Sequence, residues 1–119
     1  MWEPISEDKL FGLIDSAEVD MEAEPSVKIF WERIKIKPQK WQLSPWGDEG
    51  GGFWVVALIG TECIYYNDIE EGFNISRFDT IGLINDYLCN QSNLTSCIHF
   101  YYQSFMQALG CYSVSDSEN

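Results

Sequence analysis

Residues Phe53 to Ile59 (FWVVALI) form an unbroken run of seven apolar side chains, too short for a well-buried helix and suited to a strand covered on both faces. Gly60 and Thr61 follow directly. Glycine in the first of two loop positions supplies the positive φ of a type II′ turn, so Glu62 to Asn67 is expected to return as the paired strand. A chain with this hairpin at its centre must build outward by adding strands at its edges and helices on its faces.

The flanking sequence provides them. Ser6 can cap a helix whose first turn holds Glu7 and Asp8, and Leu10, Phe11, Leu13, Ile14 and Ala17 follow at helical spacing, which predicts a helix over 7–21. Pro25 should break it, and Val27, Ile29 and Trp31 then alternate as in a strand, with a bulge near Glu32 to explain a change of phase before Ile34 and Ile36. A short strand is expected at Lys40 to Leu43, and the most mobile loop at 44–52. Asp68 to Gly72 reads as a turn in which Gly72 takes positive φ, and Phe73 and Ile75 open a last strand. A short helix is expected over Leu83 to Leu88. A longer one follows, capped by Ser92 or Asn93, carrying Leu94, Ile98, Tyr101, Tyr102, Phe105, Met106 and Leu109 at three- and four-residue steps and stopping at Gly110. The fold class is α+β: an antiparallel sheet of about four strands with an N-terminal and a C-terminal helix packed on one face, the other face partly wet. Residues 1–112 form the single domain and 113–119 a disordered acidic tail.

The chain has 119 residues, 45% of them hydrophobic, enough for one core. Its formal net charge of -12 opposes nucleic acid, because binding phosphate needs a basic surface. The run ending at Gly60 is far short of the roughly 20 residues that span a bilayer, and the start, MWEPISEDKL, is acidic where a secretory signal would be basic and then apolar. The expectation is a soluble cytoplasmic protein, monomeric or weakly dimeric.

Charge is unevenly placed. Residues 1–26 carry -7 and 45–76 carry -6, while 27–44 carry +4. Lys28, Arg33, Lys35, Lys37 and Lys40 read as the solvated face of one strand that guards a sheet edge. In the acidic segment, Asp48, Glu49, Asp68, Glu70 and Glu71 surround Trp46 and Tyr66, with Phe53, Trp54, Tyr65 and Trp41 nearby. Acids around aromatic rings suit capture of a basic protein, because the field speeds encounter and buried rings slow release. Trp46, Asp48, Glu49, Tyr66, Asp68, Glu70 and Glu71 are therefore the candidate partner-binding residues. The plainer alternative is that the acids keep the protein soluble and the rings fill its core.

No catalytic pattern stands out. Cys63, Cys89, Cys97 and Cys111 include no C-x-x-C pair and His99 is the only histidine, so zinc is not expected. Cys97 and His99, two apart on a helix, point to different sides and make a poor nucleophile and base. Asn67 to Gly72 lacks the spacing of a calcium loop, and Gly50-Gly51-Gly52 lacks the lysine of a phosphate loop. No metal, cofactor or enzymatic activity is expected. The alternative is a small-molecule binder or minor enzyme with a pocket lined by Trp54, Tyr65, Tyr101 and Tyr102 between the sheet and the C-terminal helix. A third option is self-association through the edge of the basic strand.

The stretch FWVVALIGTECIYYNDIEEGFNISRF, Phe53 to Phe78, resembles a segment of small uncharacterised bacterial proteins in which an apolar hairpin leads into a YNDIEEGFN-type turn, and Tyr87 to Gln91 is a second point of similarity. That resemblance implies no particular activity. The small, acidic, single-domain format is similar to that of toxin-immunity proteins, which implies a non-enzymatic inhibitor of a basic toxin.

Overall fold

The computed structural model describes residues 3–117, with the side chains of Glu49 and of 110–117 outside that description. Three helices and four strands follow in the order α1 (Glu7–Met21), α2 (Pro25–Ile34), β1 (Lys35–Trp41), β2 (Phe53–Ile59), β3 (Glu62–Asn67), β4 (Gly72–Arg77) and α3 (Leu94–Ser117). The strands form one antiparallel sheet in sequence order. The fold is α+β, as expected.

The first helix begins where its cap requires: Ser6 Oγ accepts the Lys9 N–H at 3.2 Å, and Leu10, Ala17 and Met21 turn inward. The strand expected at Val27 to Trp31 is instead α2. Pro25 stands in the first helical turn, where its missing N–H costs nothing and its fixed φ fits. The buried residues Val27, Trp31 and Ile34 are four and three apart, the helical step that the alternation with Lys28 and Phe30 disguised. The change of phase near Glu32 marks the approach to the junction of helix and strand, and the bulge lies further on, between Lys35 and Gln39. The basic residues are thereby divided. Lys28 and Arg33 lie on α2, and Lys35, Lys37 and Lys40 on β1. The strand expected at Lys40 to Leu43 begins earlier and runs through Pro38, which an edge strand tolerates.

The central hairpin has the expected limits, with Gly60 at φ 59°. In the next turn the positive φ belongs to Glu71 (60°) and not to Gly72. Gly72 serves another purpose: a Cβ there would stand 2.2 Å from the Asn90 carbonyl oxygen and 2.4 Å from Gln91 Cα, so only glycine lets the later chain pass.

Each face of the sheet has its own core. Val56, Ile64 and Phe73 meet the three helices through residues such as Leu10, Trp31 and Ile98. Phe53, Val55 and Tyr65 pack with Trp41, Phe78 and Ile84 on the opposite side. The second face is therefore covered where a partly wet one was expected. Its cover is an irregular connection, residues 79–93, in which the helix expected at Leu83 to Leu88 does not form. Side chains of the sheet hold this cover by its main chain. Tyr65 donates to the Asp86 carbonyl (3.0 Å) and accepts from the Leu88 N–H (2.8 Å). Asn67 donates to the Leu88 carbonyl (2.9 Å), Ser76 accepts the Asp86 N–H (2.9 Å), and Asn74 both donates to and accepts from Asn90 (3.1 and 3.0 Å).

Asn93 is the cap of α3, its Oδ1 accepting the Ser96 N–H at 2.8 Å. The helix does not stop at Gly110 but continues to Ser117. The expected tail, 113–119, overlaps its last turns, and residues 118 and 119 lie outside the described residues.

Candidate functional site

The β3–β4 turn is built by Asn67, whose Oδ1 accepts the N–H groups of Ile69 (3.0 Å) and Glu70 (3.2 Å). This is an Asx turn in which the side-chain oxygen stands in for the carbonyl of the preceding residue. Asp68 then points inward. Its Oδ2 accepts the Ile5 N–H at 2.8 Å, which ties the segment ahead of α1 to the turn, while Oδ1 has no partner among the described residues. Burial pushes the Asp68 carboxyl above its ordinary range, because the charged form loses hydration there.

Between this turn and α1 lies a groove of two adjoining cavities, about 750 and 260 Å³, that share Leu13, Ser16, Tyr66 and Glu71 as lining. Glu3 and Asp68 add carboxylates to the larger cavity and Asp20 to the smaller, against one cation, Lys9. Four acids and one base over a floor of Tyr66 and Leu13 make a negative, partly apolar concavity. Asp20 is held in place by the Thr95 hydroxyl at 3.3 Å.

The seven candidate partner-binding residues divide between the two sides of the sheet. Tyr66, Asp68 and Glu71 line the groove on the helical side. Tyr66 is only 8% exposed and Asp68 only 7%, so the ring expected as a surface anchor is a floor and the acid expected as a surface charge is a tether. Trp46 is 45% exposed and stacks on Tyr87 at 4.6 Å, which packs against the second core. Asp48 accepts the Ser44 hydroxyl at 2.8 Å in the same loop. Glu70 is half-buried at the turn, and the side chain of Glu49 lies outside the described residues. Glu3, Leu13 and Asp20 were not among the candidates. Their signal in the sequence is spacing, since Leu13 and Asp20 are seven apart and so share one face of α1.

The alternative aromatic pocket does not assemble. Trp54 and Tyr102 pack against the helical core whereas Tyr65 belongs to the opposite one, and Tyr101 donates to Glu62 at 2.5 Å. Burial pushes the Cys63 thiol up to about 12 and that of Cys97 up to about 11, which keeps both protonated and poorly nucleophilic. His99 Nε2 lies 3.0 Å from a Glu24 carboxylate oxygen. Among the described residues no three His, Cys, Asp or Glu side chains are grouped to hold a metal ion, and no helix is long and apolar enough to cross a membrane.

No family model, curated protein or solved structure matches this chain.

Proposed function

We propose that this chain is a non-enzymatic binding protein whose acidic groove receives a basic segment of a protein partner. Its most concrete form is an immunity-type inhibitor of a basic toxin. The observation that carries this is the groove itself: Glu3, Asp20 and Glu71 rim an apolar floor of Tyr66 and Leu13. Such a surface raises the encounter rate with a cation-rich segment, and the recessed floor gives aliphatic parts of Lys or Arg something to cover. Trp46 and Asp48 form a second contact on the other side of the sheet. A partner that engages both must wrap around the end of the sheet where the two loops lie. The net charge of -12 makes nucleic acid an unfavourable partner. Cytoplasmic residence agrees with three unbridged thiols, Cys63, Cys89 and Cys97.

The test uses a fluorescent arginine-rich peptide and an alanine-rich control of equal length, titrated at ~50 and ~500 mM salt, where screening lengths differ about threefold. The arginine peptide should bind, the control should not, and high salt should weaken binding. Asp20→Lys and Glu71→Lys should each reduce affinity about tenfold by adding like charge to the rim. Affinity indifferent to salt and to both substitutions would remove the proposal.

A further inference from the structure

We propose that the exposed stripe of Phe105, Met106 and Leu109 on α3 is a self-association surface that pairs with α3 of a second copy. The stripe is a continuation of the core. Leu94 and Ile98 are buried by the body of the protein. About two and three turns beyond Ile98, the same face presents Phe105, Met106 and Leu109, which are 46%, 44% and 47% exposed. Phe30 is the last contact of the body, meeting Tyr102 and Phe105 at ring distances of 5.5 and 5.8 Å. Past Tyr102 the side chains from Gln103 to Leu109 are all exposed, and the molecule is 56 Å long by 30 and 22 Å across.

The pattern is that of a helix seam. Ile98 and Phe105 are seven apart, as are Tyr102 and Leu109, so the series that Ile98 and Tyr102 pack against the body of the protein continues outward as Phe105 and Leu109, four apart, which is one step of the spacing of paired helices. Charge selects the occupant. No Asp, Glu, Lys or Arg stands between Asp86 and Asp116 in a chain whose net charge is -12. Two copies repel each other over most of their surface and meet without like-charge cost along this neutral helix. A membrane-surface helix would carry Lys or Arg on its polar face, and this one carries neither. A basic partner gains nothing here. The second copy offers a neutral, apolar face of matching spacing, and a two-fold pairing is the commonest form of homo-oligomer.

Area sets the strength. The three exposed side chains supply on the order of 250 Å² per copy, below the roughly 800 Å² per partner of a stable interface, so the pair forms only at high concentration. This surface lies apart from the acidic groove and its test does not depend on it.

The experiment is sedimentation of the full chain from ~1 to ~200 µM, with Leu109→Glu and Met106→Glu as variants and Lys37→Glu on the β1 edge as control. The expected result is a mass of 13.7 kDa at the low end that moves towards twice that value at the high end. The two α3 variants should remain monomeric with unchanged circular dichroism, and the control should dimerise as the parent does. A parent monomeric throughout would overturn the proposal. Dimerisation that survives both α3 substitutions, or is lost in Lys37→Glu alone, would assign it to another surface, and binding of uncharged lipid vesicles that requires Leu109 would assign the stripe to lipid; each also overturns it.

Discussion

Gly72 and Asn67 show how a turn can be chosen for what must pass beside it. Gly72 is hemmed in by the backbone of Asn90 and Gln91, which cannot retreat without breaking the Asn74 hydrogen bonds to Asn90. Gly72→Ala should therefore destabilise the fold by about 1–3 kcal/mol, the range of overpacking, read as a lower denaturation midpoint in urea. Left-handed strain at Glu71 is a separate matter, because residue 71 and not 72 carries the positive φ. Turn propensity in the sequence located this bend but assigned the glycine the wrong role, since a close approach by a segment eighteen residues later leaves no local trace. The same holds for Asp68. Its carboxylate looks like surface charge until the Ile5 N–H is placed against it. The segment YNDIEEGFN thus braces its own fold through Asn67, Asp68, Gly72 and Asn74, and it holds the stretch Tyr87 to Gln91 at Leu88 and Asn90.

At the scale of elements, helices with clear caps and the central hairpin were legible because their signals are local: Ser6, Asn93, Gly60. The second helix was not. Val27 to Trp31 fits both periods over so short a span, and the decision falls to Pro25 and to the core position of Ile34. The irregular cover of the second face was also hidden, since what holds it is a set of polar side chains spread over two strands, Tyr65 and Asn67 on β3 and Asn74 and Ser76 on β4. Tyr65→Phe tests that attachment. It leaves the Leu88 N–H without its acceptor and should cost about 1–3 kcal/mol. Faster hydrogen exchange should be confined to residues 86–91, while amides of α1 and α3 keep their protection. Uniform loss of protection would show that the cover is inseparable from the rest.

For the whole molecule, the sequence disclosed the imbalance of charge but not its geometry. Acids of α1 and of the β3–β4 turn, far apart in the chain, face each other across one groove, while the proposed anchors Trp46 and Tyr66 are on opposite sides of the sheet. Few ion pairs offset the excess. Those among the described residues that join Lys or Arg to an acid are confined to the Glu18, Lys28, Glu32 and Lys35 cluster. Self-repulsion should therefore weaken the folded state at low ionic strength. Raising sodium chloride from ~10 to ~200 mM, which shortens the screening length about fourfold, should raise the melting temperature by a few degrees. No change would mean that the acids are too dispersed to repel. The second face adds a consequence of its own. Because the sheet grips residues 88 and 90 by amide and carbonyl groups, these bonds do not depend on the side chains those two positions bear. Substitutions at Leu88 and Asn90 can accumulate without unseating the cover, while the neighbouring Tyr87 stays fixed by its packing on Trp46 and the second core, so this flank of the protein can diversify at alternate positions on a constant scaffold.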